Sequence, residues 1–243
     1  MDKTEFITRL NKTVDTPEMI RGIYNWCDRW CERCHQTERC MVYKTTVHLP
    51  ADDPGELFQS LTLIFEATID MLKEHLESMD SDVEDVQNSD FEDEYNREKQ
   101  LVANNEGTAL ARQYKQMAKH WLDSLKERDS LGMEIRMQNA MLQDCMEVIQ
   151  WHQYLFEIKF ARALVSQKEE LEENFTPYDS LGTAKLLLVT IERNIGAWGY
   201  VYQQFKEDED ELLAILVVLQ KLRDTIRQTF PDADAFIRPG LDD

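Results

Sequence analysis

The stretch SLGTAKLLLVTIERNIGAWGYVYQQF, residues 180–205, decides the fold class of this chain. Its apolar residues recur at the spacing of an α-helix, and Asp179 or Ser180 is expected to cap the first turn. Similar segments recur along the 243 residues, which include only 8 Gly and 6 Pro. These are too few for the many turns of an all-β protein. The sequence therefore predicts an all-α protein.

The other apolar segments predict a bundle of about five to six helices. Residues 148–165, VIQWHQYLFEIKFARALV, are apolar on nearly every side, which predicts that they form the most buried, central helix. The tail after Pro231 is expected to be irregular and frayed. The helix that contains residues 148–165 is predicted to extend to about Lys168. An Asp53 cap predicts a helix from Pro54 to about Met79. Three further helices are predicted from Pro17 through Cys34, over residues 110–125, and from about Asp208 to Phe230.

The domain organisation follows from cysteine and charge content. Residues 1–50 are predicted to form a Cys-rich helix and loop packed on the bundle, and residues 51–243 the bundle itself. Within the bundle, residues 80–98 contain nine acids and one base. We interpret this run as a mobile linker or a solvated helix start.

The net charge of −20 excludes several classes of partner. An acidic surface repels nucleic acid and anionic membranes, so neither is expected to bind. No signal peptide is evident, and the longest apolar run, LLAILVVL at 212–219, is far below the roughly 18 residues of a membrane span. We therefore expect a cytoplasmic protein whose five cysteines are reduced.

Four of the five cysteines lie within residues 26–40, WCDRWCERCHQTERC, with the spacing C-x3-C-x2-C-x5-C. Between Arg21 and Lys44, five bases against three acids give a local charge of +2. Such charges lower the pKa of thiols and offset the negative charge of a thiolate metal site. The sequence predicts a metal site whose ligands are Cys27, Cys31, Cys34 and Cys40. Reduced packing thiols or a local disulfide are the alternatives.

The choice of metal depends on the predicted helix. Cys27 and Cys34 would lie about 10.5 Å apart along a continuous helix, whereas sulfurs around zinc are roughly 3.8 Å apart. A [4Fe–4S] cluster spreads its ligands more widely and is favoured, with zinc as the alternative. His35 is expected to face solvent, and His48 is a reserve ligand.

Two families share part of this spacing. Cys27, Cys31 and Cys34 resemble the C-x3-C-x2-C motif of radical S-adenosylmethionine enzymes, whose motif follows a strand in a β/α barrel. The spacing from Cys31 to Cys40 is similar to the end of the cluster loop in helical DNA-repair glycosylases, whose first gap is six residues. Each match covers fewer than fifteen residues, and we carry over no function from either family.

A second candidate site lies in the predicted bundle core. Glu66, Glu147, His152 and Glu192 fall on or beside apolar helix faces, where carboxylates of helical di-metal oxidases project inward. Residues 51–243 contain no Glu-x-x-His pair, however, and pairing of Glu192 with a charge on a facing helix is the simpler interpretation. Cys145 and His152 lie on one face and could form a soft-ligand pair, but packing in the buried core is the preferred interpretation of both.

We therefore predict a metal-binding helical protein with a structural, redox-sensing or electron-transfer role. A metal-free protein–protein interaction module is the competing prediction, and a di-metal carboxylate oxidase is third. The metal-binding protein and the interaction module could each have a protein or redox partner. No nucleophile–base pair or phosphate-binding loop is evident, so the sequence favours a non-enzyme.

Overall fold

The computed structural model describes residues 8, 16, 18–46, 53–78, 88–128, 138–173 and 178–242, with side chains omitted at 54, 74–78 and 88–91. These residues form helices and turns, with no strand among them. The all-α prediction is confirmed. The eight α-helices are α1 Met41–Thr46, α2 Pro54–Ser78, α3 Asn88–Ala103, α4 Glu106–Lys126, α5 Ala140–His152, α6 Leu155–Glu172, α7 Asp179–Gln204 and α8 Glu209–Thr229.

The chain forms two compact units. The first comprises residues 1–24, 31–92 and 239–241, and the second comprises 25–30, 93–238 and 242–243. The predicted division at residue 50 stays a prediction. Residues 79–87 of the acidic run lie outside the described part of the chain. From Asn88 onward the run belongs to α3, and residues 92–97 are exposed, as a solvated helix start requires.

Helix α7 is the central helix of the second unit. It packs against α5, α6 and α8, and its buried positions run from Ser180 to Val201. The prediction that residues 148–165 form the central helix is wrong, and so is their predicted continuity. The chain turns at Gln153 and Tyr154, between α5 and α6. Buried side chains keep helical spacing across this turn, from Ile149 and His152 to Phe156 and Phe160, so the apolar pattern contains no sign of the break.

The cap of α7 comes from a distant side chain. The Glu170 carboxylate in α6 accepts the main-chain N–H groups of Tyr178, Asp179 and Ser180 at 2.8 to 3.1 Å. It thereby satisfies donors that a helix start leaves unpaired. The sequence predicts capping by the Asp179 or Ser180 side chain instead, because local patterns do not reveal a cap supplied by another helix.

The tail of the second unit is packed rather than frayed. Ala233 is fully buried and Arg238 is 5% exposed. The Arg238 guanidinium donates to both carboxylate oxygens of Asp242, at 2.9 and 2.6 Å, and to the Trp26 carbonyl at 3.1 Å. A buried arginine with several acceptors fixes the chain around it, so the prediction of fraying is wrong.

The predicted helix from Pro17 through Cys34 does not form. Three short 3₁₀ turns, Ile23–Asn25, Cys31–Arg33 and Thr37–Arg39, occupy this part of the chain. Gly22 has a φ of 74° and Arg29 a φ of 60°, both in the left-handed region that an α-helix excludes. The glycine within IRGIY is the visible signal of this break.

Helix α2 of the first unit begins where the sequence predicts. The Asp53 carboxylate accepts the N–H groups of Gly55 and Glu56 at 2.8 and 3.1 Å. The helix is unusual in that the apolar face expected to pack in a core is exposed: Phe65 is 70% and Leu72 is 56% exposed. Ala67, on the other side of the helix, is fully buried.

Candidate functional site

Three of the predicted cysteine ligands lie in the first unit. Cys31 and Cys34 are joined by a tight turn, in which the Cys34 N–H donates to the Cys31 carbonyl at 3.1 Å. The Cys34 Sγ accepts the main-chain N–H of Gln36 at 3.4 Å. Cys40 is 9% exposed and packs with Ile20 and Ile23 in a small apolar cluster. None of these three cysteines is in a disulfide, so the local disulfide is not formed.

Cys27, the fourth predicted ligand, belongs to the second unit. Burial raises the pKa of its thiol, although the Arg29 main-chain N–H and the positive charges of Arg29 and Lys159 act in the opposite direction. Arg29 thus donates its N–H to the sulfur two positions before it, as Gln36 does for Cys34. Lys159 is only 8% exposed, and burial lowers its pKa.

The described thiols are not gathered as metal ligands. Nowhere in the described ranges do three or more His, Cys, Asp or Glu side chains form a group that could hold a metal ion. His35 is exposed, as expected, while His48 lies outside the described residues.

The segment Asn25–Trp30 is attached to the helices of its unit through main-chain carbonyl groups. Lys159 donates to the Asn25 carbonyl at 3.1 Å, and Trp151 Nε1 donates to the Asp28 carbonyl at 2.9 Å. The Trp26 ring is 3% exposed, and its Nε1 donates to Asp179 at 3.1 Å. These anchors place Cys27 among positively charged side chains.

Gly182 explains how the Trp26 ring fits against α7. A Cβ at Gly182 would lie 2.5 Å from the ring. Any residue larger than glycine at this position would therefore displace the Trp26 ring. A Cβ at Gly196 or Gly199 would meet no atom within 4 Å, so neither glycine accommodates such a ring.

Asp28 begins a hydrogen-bonded chain that runs into the core. Its Oδ2 lies 3.4 Å from His152 Nε2 and 3.4 Å from Arg193 Nη1, and its Oδ1 accepts the Trp30 N–H at 3.1 Å. Burial acts to raise the Asp28 pKa, but the hydrogen bonds from His152 and Trp30 and the positive charge of Arg193 lower it below the ordinary value. Asp28 is therefore a carboxylate at neutral pH.

The chain continues through fully buried groups. Asn194 Nδ2 lies 2.8 Å from His152 Nδ1, and Tyr114 donates its hydroxyl to Asn194 Oδ1 at 2.9 Å. Trp198 Nε1 donates to the Tyr114 oxygen at 3.2 Å. Burial raises the Tyr114 pKa, so the phenol stays protonated. Because the Asn194 amide nitrogen can only donate, His152 Nδ1 accepts and its Nε2 carries the proton toward Asp28.

This network ties neighbouring elements of the second unit together. Both nitrogens of His152 are engaged, Nε2 with Asp28 and Nδ1 with Asn194. The network connects the 25–30 segment with α4, α5 and α7. Satisfied buried polar groups of this kind specify one packing arrangement.

The carboxylates of the second predicted site are not in the core. Glu66, Glu147 and Glu192 are all exposed. Glu192 pairs with Arg223 at 2.6 Å, so the prediction of a charge partner on a facing helix is right, although the pair is at the surface and not buried. Cys145 is 6% exposed within the apolar core, as the packing interpretation of that thiol expected.

The comparisons with known proteins return nothing: no protein-family model, no curated protein and no solved structure matches the chain. Within the part of the chain that the structure describes, no helix is both long enough and apolar enough to cross a membrane.

Proposed function

We propose that the cysteine segment binds a metal through the thiolates of Cys27, Cys31, Cys34 and Cys40, as a [4Fe–4S] cluster or a zinc site. The observation that carries the proposal is a repeated local geometry. Cys27 and Cys34 each accept a main-chain N–H from the residue two positions later. Main-chain N–H groups that donate to cysteine sulfur are typical of the surroundings of thiolate metal centres, whose properties they tune.

The composition of the first unit also supports a structural metal. Its buried apolar side chains, counted over the described residues, are only Ile20, Ile23, Cys40 and Ala67. Small units with so little core usually need a metal, disulfides or a partner for stability. The described cysteines form no disulfide, so disulfides do not supply this stability.

Zinc has a specific observation in its favour. The argument for a [4Fe–4S] cluster depends on a continuous helix that would separate Cys27 from Cys34. The chain instead forms short turns, and Cys31 and Cys34 share one of them. Two cysteines joined by such a turn suit the tetrahedral geometry of zinc, so the metal has to be identified by analysis.

The test is purification of the full chain without oxygen, followed by iron, zinc and acid-labile sulfide analysis beside an absorption spectrum. A [4Fe–4S] cluster predicts brown protein with matching iron and sulfide and broad absorption near ~400 nm. Zinc predicts colourless protein with about one equivalent of tightly bound metal. Metal-free protein whose thiols all react freely with a thiol reagent would overturn the proposal.

A matched pair of variants locates the site. Cys40 is 9% and Cys145 is 6% exposed, so replacement by alanine removes a similarly buried sulfur in each case. Cys40→Ala is expected to lose or weaken metal binding, because one of four ligands is gone. Cys145→Ala is expected to keep the full metal content. Equal metal content in the two variants would show that Cys40 is not a ligand.

A further inference from the structure

Helix α2 presents a continuous apolar stripe to solvent. Among the helix residues whose side chains the structure describes, its members are the large exposed ones, with exposed fractions from 42% to 73%: Phe58, Leu61, Phe65, Ile69 and Leu72. At about 100° per residue they fall within a sector roughly 80° wide. Ala67, which is fully buried, lies about 160° from Phe65 around the helix. The stripe therefore lies on the side of the helix opposite its buried position Ala67.

The order of the stripe is symmetric about its middle residue. Successive members are separated by 3, 4, 4 and 3 positions, the same in either direction along the helix. An antiparallel copy with Phe65 at a two-fold axis brings Phe58 level with Leu72 of the other copy. Leu61 is then level with Ile69. A two-fold interface uses the same patch on both chains, and this order satisfies that requirement.

The exposed area matches what a dimer needs. A side chain of this size exposes about 200 Å² when fully accessible, so the stripe presents roughly 600 Å² per chain. Two copies would bury about 1,200 Å², the lower end of the range for stable interfaces. A patch of this size is at the upper limit for monomeric proteins.

We propose that the α2 stripe is the interface of an antiparallel homodimer. This inference is independent of the metal proposal, because it rests on α2 and uses none of the cysteines. Each chain has a charge of −20, so long-range repulsion opposes association while burial of the stripe favours it. Salt screens the repulsion, and the dimer is therefore expected to tighten as ionic strength rises.

The first test is analytical ultracentrifugation of the full chain over a range of concentrations at low and high salt. A monomer–dimer equilibrium that shifts toward dimer at high salt is expected. Phe65→Asp is expected to weaken it on the order of thirtyfold, because it places two like charges at the two-fold axis. Leu213→Asp, at a residue of α8 that is 50% exposed, is the control and should leave the equilibrium unchanged.

A charge pair tests the antiparallel arrangement. Phe58→Lys or Leu72→Glu alone places a charge against an apolar side chain and should weaken the dimer. The double variant brings each lysine level with a glutamate of the other copy and should recover part of the loss. A wild-type chain that stays monomeric at all concentrations, a dimer indifferent to Phe65→Asp, or the absence of recovery would overturn the proposal.

Discussion

Asn194→Ala tests the buried network most directly. Asn194 is fully buried, accepts from the Tyr114 hydroxyl at 2.9 Å, and donates to His152 Nδ1 at 2.8 Å. Alanine leaves the Tyr114 O–H and the His152 Nδ1 atom buried without the partner that Asn194 supplies, and each such group costs about 1–3 kcal/mol. The lost side-chain packing adds to this cost. We expect the free energy of unfolding to fall by about 4 kcal/mol.

Denaturant unfolding followed by tryptophan fluorescence measures this loss, since Trp121 and Trp198 lie in the same core. Gln203→Ala, at an exposed position of α7, is the control and should change stability by no more than about 0.5 kcal/mol. Tyr114→Phe combined with Asn194→Ala should cost about 1–2 kcal/mol less than the two single changes added together, because both remove the same hydrogen bond. A loss below about 1 kcal/mol for Asn194→Ala would refute the assignment of the network as a stabilising element.

Two further predictions concern charged groups. The pKa of Asp28 is lowered in the folded state, so its ionised form stabilises the fold above its unfolded pKa, and this contribution is lost as the pH falls through the folded value. The difference in free energy of unfolding between wild type and Asp28→Asn should therefore be largest near neutral pH and shrink below about pH 4. A difference that does not change with pH would contradict the ion-pair role of Asp28. Glu192→Ala should lower the free energy of unfolding by less than about 1 kcal/mol, because the pair of Glu192 with Arg223 is at the surface. A loss of several kcal/mol in thermal or chemical unfolding would mean that the pair is buried.

The fold could be predicted where local signals were sufficient. The Asp53 cap and the apolar spacing of α4 and α8 locate helices whose starts and faces are determined by nearby residues. Gly22 signals that the predicted N-terminal helix does not form, but the apolar spacing around it favours a helix. The break at Gln153 carries no local signal, because the buried face continues across it. Central packing of α7 depends on which helices surround it, and no single segment contains that information.

The candidate site was predictable only in part. Crowding of the cysteines is visible in the sequence, but their turns are not. The residues of the buried network look like isolated polar interruptions of apolar helices. Asn194 and Tyr114 are 80 positions apart, and Asp28 and His152 are 124 apart. Only the packed helices bring such groups within hydrogen-bonding distance.

The two units of the molecule draw their stability from different sources. The second unit combines a large apolar core with a satisfied polar network, and its 25–30 segment is held by main-chain carbonyl groups and by the side chains of Trp26 and Asp28. Among its described residues, the first unit has few buried side chains, while three closely spaced cysteines and an exposed apolar stripe lie within it. Metal binding and dimer formation would each supply the first unit with interactions that its own core does not provide.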